Sequence, residues 1–74
     1  MNKVKAFFES ELQNVEHVNN SDYCGKWISH KDVVDNAIVR CLGVTMFVQT
    51  IGVSYEEVAP LYDEYKAKLE KYYK

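Results

Sequence analysis

Between Ile28 and Val58 the chain carries a long apolar segment that opens on one helix start signal and closes on a glycine followed by a second. The first signal is Ile28-Ser29-His30-Lys31-Asp32-Val33. There the Ser29 hydroxyl is placed to accept from the free N–H of Asp32, and the Asp32 carboxylate sits among the unpaired N–H groups of the first turn. Ile28 and Val33 stand at the two positions that a hydrophobic staple clamps together. The device returns as Val53-Ser54-Tyr55-Glu56-Glu57-Val58, now with Glu57 at the capping-box position and Val53/Val58 as the staple. Gly52 lies just ahead of it, where the end of a helix needs a positive φ. These signals predict one helix over about His30 to Ile51 and another beginning at Tyr55. By helical rise the first is about 33 Å long, the diameter of a small domain, so the other elements must pack along it.

A chain of 74 residues forms one domain, residues 1–74. At that size only about 60% of the unfolded surface is buried, and a partner subunit would add to a small stability margin. The balance of 47% hydrophobic and 27% charged residues, with one Pro and three Gly, argues against disorder. Net charge is −2 and is spread evenly, so no block forms an electrostatic footprint for nucleic acid. Lys3 and Lys5 precede Ala6-Phe7-Phe8, but Glu9 and Glu11 interrupt before a secretory apolar core forms. No run approaches the roughly 18 apolar residues that span a bilayer. Two cysteines are too few for a disulfide scaffold. The expected location is the cytoplasm.

In order along the chain, Asn2 to about Val18 reads as the first helix, with Val4, Phe8, Leu12 and Val15 on one face and Phe7 and Val18 widening it. Glu11 falls at one edge of that apolar arc. It either turns its carboxylate to solvent or pairs with a cation of a neighbouring helix, Arg40 first among them, in preference to serving as a functional buried acid. Asn19-Asn20-Ser21-Asp22 stops the helix, and a loop of about ten residues follows. Tyr23 and Trp27 are too apolar to hang free. They either plug one end of the bundle or form an aromatic anchor for a partner.

The central helix has Val33, Val34, Ala37, Ile38, Cys41, Val44, Val48 and Ile51 over half its circumference, with Leu42 at one edge, a width suited to packing against two others. A second group, Val39, Gly43, Met46 and Thr50 with Phe47 alongside, lies on the opposite side. Glycine costs about 1 kcal/mol against alanine inside a helix, a cost that close approach of another backbone would offset. This second stripe is read as the interface of a homodimer, or as a face covered by the loop that contains Trp27. The third helix, Tyr55 to Tyr73, repeats Val58, Tyr62, Tyr65, Leu69 and Tyr72 at heptad spacing. Its acids come first and its lysines last, the order the dipole favours. Pro60 removes an N–H and crowds the carbonyl of Glu56, which predicts a kink or a 3₁₀ turn before it.

Two resemblances bear on function. The stretch from Phe47 to Val58, with Gly52 in the turn and Val58 and Leu61 on the next helix, resembles the corner of a helix-turn-helix DNA-binding motif. Such a motif implies Arg, Lys, Asn or Gln on the reading helix, whereas Tyr55, Glu56, Pro60 and Asp63 occupy the early exposed positions here, and carboxylates are repelled by phosphates. The C-terminal half, Arg40-Cys41-Leu42-Gly43 through Phe47, Gly52-Val53 and Glu57-Val58 to Leu69, is similar in texture to small helical proteins of phages and prophages of Gram-positive bacteria. That likeness implies an accessory or inhibitory binding protein and transfers no site.

Catalysis finds little support. Cys24, His30, Cys41 and His17 are the soft ligands, and no pair of them has structural-zinc spacing. A Cys24/His30 nucleophile pair lacks an orienting group and an oxyanion site, and there is no phosphate loop or dinucleotide fingerprint. The expectation is an all-α three-helix bundle without cofactor or metal. It is not an enzyme but a protein–protein interaction module working as a small homo-oligomer, with DNA regulation through the Gly52 corner as the alternative.

Overall fold

The structure, a computed structural model, describes residues 2–20 and 29–73. Three helices form an all-α bundle: α1 Asn2–Asn19, α2 His30–Thr50 and α3 Tyr55–Glu70, with no strand among the described residues. Each helix packs on both others. Tyr65 of α3 meets Glu9 of α1 and Tyr72, seven residues on, meets Glu16, so α1 and α3 run parallel. Tyr73 after α3 meets Asp35 near the start of α2 while the start of α3 adjoins the end of α2, so α2 runs against both. The loop expected after the first helix, with Tyr23, Cys24 and Trp27, lies outside the described residues.

α2 begins as its cap dictates. Ser29 has extended backbone angles, and its Oγ accepts from the Asp32 N–H at 3.0 Å. The helix stops as clearly. Gly52 takes φ 108°, the Gly52 N–H donates to the Gln49 carbonyl and the Val53 N–H to the Val48 carbonyl at 3.0 Å. That pair of bonds is a Schellman motif, and it returns Val53 against Val48, the residue one turn back. Ile51 is therefore the C-cap, with φ −107° and ψ 16°, rather than the last core residue of the helix. Its side chain leaves the helical register and is exposed, a correction to its place in the expected core.

α3 departs from expectation at three points. Ser54 is the N-cap residue, and its carbonyl accepts from the Glu57 and Val58 N–H groups, but its side chain makes no capping hydrogen bond. α-Helix runs without interruption through Pro60, so no 3₁₀ turn precedes it. Pro60 points to solvent and sacrifices a single backbone bond, while Val58, Leu61 and Tyr62 on either side hold the turn against the core. The helix also ends at Glu70, leaving Tyr72 and Tyr73 in the turn that follows.

The core consists of Val4, Phe8 and Val15 from α1, Val34, Ala37, Cys41 and Val48 from α2, and Val58, Tyr65 and Leu69 from α3. Phe8 and Tyr65 anchor it, their ring centroids 5.8 Å apart. Thr45 joins the core although its side chain is polar, because its Oγ1 donates to the Cys41 carbonyl at 2.8 Å and so enters the interior satisfied. Its position, four residues after Cys41 and three before Val48, is the signal that identifies it as inward-facing.

Candidate functional site

α2 presents two faces with different partners. On the inner face, Cys41 is wholly buried, and burial, reinforced by the Glu11 charge, pushes its thiol up to about 11. A thiol that holds its proton at neutral pH is not a nucleophile, so Cys41 serves as a small core hydrophobe. Glu11 is buried at the edge of this face and accepts from Arg40 Nε, the pairing its position suggests. The guanidinium is half-exposed while the carboxylate is nearly enclosed, so the bond chiefly keeps Glu11 from being stranded.

A polar seam closes the bundle around this core. The Tyr65 hydroxyl donates to Glu9 at 2.5 Å, which, with burial and the charges of Glu9 and Glu64, raises that phenol to about 12. Lys68 stands over the same ring, 4.7 Å from its centroid. Tyr73 donates to Asp35 at 2.5 Å, and that bond raises its hydroxyl to about 12. Asp35 also takes Lys31 at 2.6 Å, and these two bonds, Lys31 first, hold its carboxyl below its ordinary value. Tyr72 is raised as well, by desolvation and then by Glu16. The three tyrosine–carboxylate pairings span dozens of residues and have no signature in local spacing, which is why sequence patterning does not reveal them, whereas Lys31–Asp35 is an ordinary i, i+4 pair.

On the outer face, Val39, Gly43, Met46, Phe47 and Thr50 share one side of the helix and all are exposed. Val39 is 64% exposed, Met46 61% and Phe47 61%, and Leu42 and Ile51 add to the patch from either edge. Helical rhythm places Ile51 within the core group and Leu42 at its edge, so the exposure of both is a correction. Among the described residues nothing lies within 4 Å of a Cβ built on Gly43, and its backbone is ordinary right-handed helix. Among the described residues, then, Gly43 answers neither a tight packing nor a special conformation, and nothing there offsets its helix cost. The aromatic pair Tyr23 and Trp27 lies outside the described residues, as does the Cys24/His30 pairing.

No group of three or more metal-binding side chains comes together among the described residues. No helix there is long and apolar enough to cross a membrane. The Gly52 corner exists, but the early exposed positions of α3 are Tyr55, Glu56, Glu57, Pro60 and Asp63. Carboxylates in those places are repelled by the phosphates that flank a major groove. No family model matches the chain, and neither a curated protein nor a solved structure does.

Proposed function

We propose that the protein is a non-enzymatic protein–protein interaction module, of accessory or inhibitory type, that works through the outer face of α2. The observation that carries this reading is the apolar stripe of Val39, Met46 and Phe47, each more than half exposed on the same side of one helix. Scattered surface hydrophobics need no explanation, but a contiguous patch of several hundred Å² marks an interaction surface. The carboxylates on the exposed start of α3, which phosphates repel, favour this over groove binding. A chain with two cysteines, one of them deeply buried, suits the reducing cytoplasm.

The test is a comparison of baits. Tagged wild type and a Met46→Ser/Phe47→Ser double variant are used side by side to retain proteins from the cells that make the chain, with an untagged copy co-expressed. The double variant should melt like wild type and lose proteins that wild type retains, the untagged copy included. Identical retention by a folded double variant would remove the outer face from the function.

A further inference from the structure

We infer that the occupant of the outer face of α2 is a second copy of this chain, the two α2 helices crossing antiparallel about a two-fold axis level with the Val44–Thr45 peptide. This rests on the reading of that face as a protein-binding surface and commits it to one partner. Three observations carry it.

The first is the glycine. Gly43 lies mid-helix with open space beyond it, so nothing among the described residues accounts for the missing side chain. A backbone or bulky side chain arriving from outside would account for it. The second is the spacing of the stripe. Val39, Gly43, Met46 and Thr50 are separated by 4, 3 and 4 residues, which reads the same in both directions. About the proposed axis Val39 therefore lies opposite Thr50 of the second copy, and Gly43 lies opposite Met46. The longest flexible side chain of the stripe meets the gap left by the smallest residue. Phe47 lies beside its own copy on one flank, and Leu42 does so on the other. A parallel pairing would instead set Gly43 on Gly43 and Met46 on Met46, and would bring Asp32 and Asp35, on the same side of the first turns, towards their own copies as like charges.

The third is area. At ordinary side-chain sizes the exposed parts of the patch amount to roughly 500–600 Å² per copy, or about 1,000–1,200 Å² for the pair, at the lower edge of what a stable interface needs. An interface of that size belongs with weak or transient pairings.

The loop between α1 and α2 is the rival occupant, and its length argues against it. Nine peptide steps join Asn20 to Ser29, at most about 32 Å of chain. Both anchors stand at the same end of the bundle, so a backbone of this length that goes out and returns extends at most about 16 Å, and with a side chain at its tip about 22 Å, enough for Val39 but not for Met46. Met46 to Ile51 lie roughly 25–33 Å along α2 from Ser29.

Sedimentation equilibrium of the wild-type chain from about 1 to several hundred micromolar should show a monomer–dimer equilibrium. Gly43→Glu and Met46→Lys should each shift the midpoint at least tenfold to higher concentration, with helical circular dichroism retained. Both are made because either alone could fail for want of folding. In a Cys24→Ser background, Val39→Cys mixed with Thr50→Cys should form a disulfide-linked heterodimer, while neither variant links efficiently to itself.

A wild type monomeric throughout the range overturns the proposal. If its single tryptophan, Trp27, also changes emission on Gly43→Glu, the face belongs to the loop. Efficient self-linking of each cysteine variant replaces the antiparallel pairing with a parallel one and overturns the geometry. A dimer indifferent to both charged substitutions places the interface elsewhere. A monomeric wild type whose Met46→Ser/Phe47→Ser variant still loses a retained protein sinks self-pairing alone and leaves the interaction-module reading standing.

Discussion

Phe8 and Phe47 are the same side chain on opposite sides of α2. Phe8 reaches the inner face from α1 and is fully buried against Tyr65, whereas Phe47 projects from the outer face with most of its surface in water. Hydrophobicity alone does not separate them, and neither does helical rhythm, since each continues an apolar stripe. What separates them is the number of neighbours: a helix packed by two others is covered over about half its circumference. In α2 the inner half is consumed by the fold, and the outer half is left for something else.

The sharpest way to break that contrast is to truncate both rings. Phe8→Ala should cost about 3–5 kcal/mol, by lost burial and the cavity left behind, enough to unfold most of so small a domain. Phe47→Ala should change stability by less than about 0.5 kcal/mol at concentrations where the chain is monomeric. Urea melts at low micromolar concentration measure both. A comparable loss for the two would show that the outer face is covered within one chain.

Arg40 stands at the border of the faces, and its replacement tests what holds that border. Arg40→Met leaves Glu11 enclosed without its cation and should cost about 2 kcal/mol, less than for a fully buried pair because the guanidinium is half in water. Adding Glu11→Met should recover most of the loss, since two apolar groups need no pairing. If the double variant stays as weak as the single, the pair contributes through its geometry rather than by satisfying a stranded charge.

The border residues also show where sequence reading reaches its limit. The Glu11–Arg40 pair is legible because an acid at the edge of an apolar arc needs a cation, and Arg40 is the one cation of the central helix beyond its first turn. The start of α2 and its glycine stop are legible for a similar reason, being decided by residues within a few positions of one another. Ile51 was misplaced because a residue that continues the rhythm one step past the last helical turn no longer follows the helix. The tyrosine–carboxylate contacts were invisible because they depend on how α1 and α3 are aligned, which spacing within either helix does not encode. As for the candidate site, the sequence locates the outer stripe but not its extension to Leu42 and Ile51, which needed the packing of α1 and α3 to be known.

On the inner side, Tyr65 ties the core to its polar seam and gives the fold an alkaline limit. Its hydroxyl is raised from 10.0 to about 12 in the folded chain, so the protonated form is favoured by folding. The stabilisation is complete below about pH 10 and is lost as pH rises towards 12. Tyr65→Phe should cost about 1 kcal/mol at neutral pH through the lost bond to Glu9. It should also flatten part of the alkaline fall in melting temperature, Tyr72 and Tyr73 supplying the remainder. An alkaline limb of unchanged slope in the variant would mean that this contact does not persist in solution.

Gly43→Ala probes the outer face with a gain rather than a loss. With open space around the added methyl, the monomer should gain about 0.5–1 kcal/mol from helix propensity. The same methyl should weaken self-association by filling the gap opposite Met46. Melts at low concentration and sedimentation at high concentration should therefore move in opposite directions, and a substitution that raised or lowered both together would contradict the separation of the two faces.

The smallest effect is expected where one sequence device has two outcomes. Ser29 and Ser54 both precede a helix with a hydrophobic pair arranged around them, yet Ser29 Oγ accepts from Asp32 while the Ser54 side chain caps nothing. Glu56 and Glu57 already fill the first turn of α3 with negative charge, and Val53, fixed by the Schellman turn, sets the direction of entry. Little is left for the Ser54 hydroxyl to do. Ser29→Ala should thus cost about 1 kcal/mol in urea melts, and Ser54→Ala no more than a few tenths. A full 1 kcal/mol penalty at neutral pH would mean that Ser54 caps α3 in solution as Ser29 caps α2.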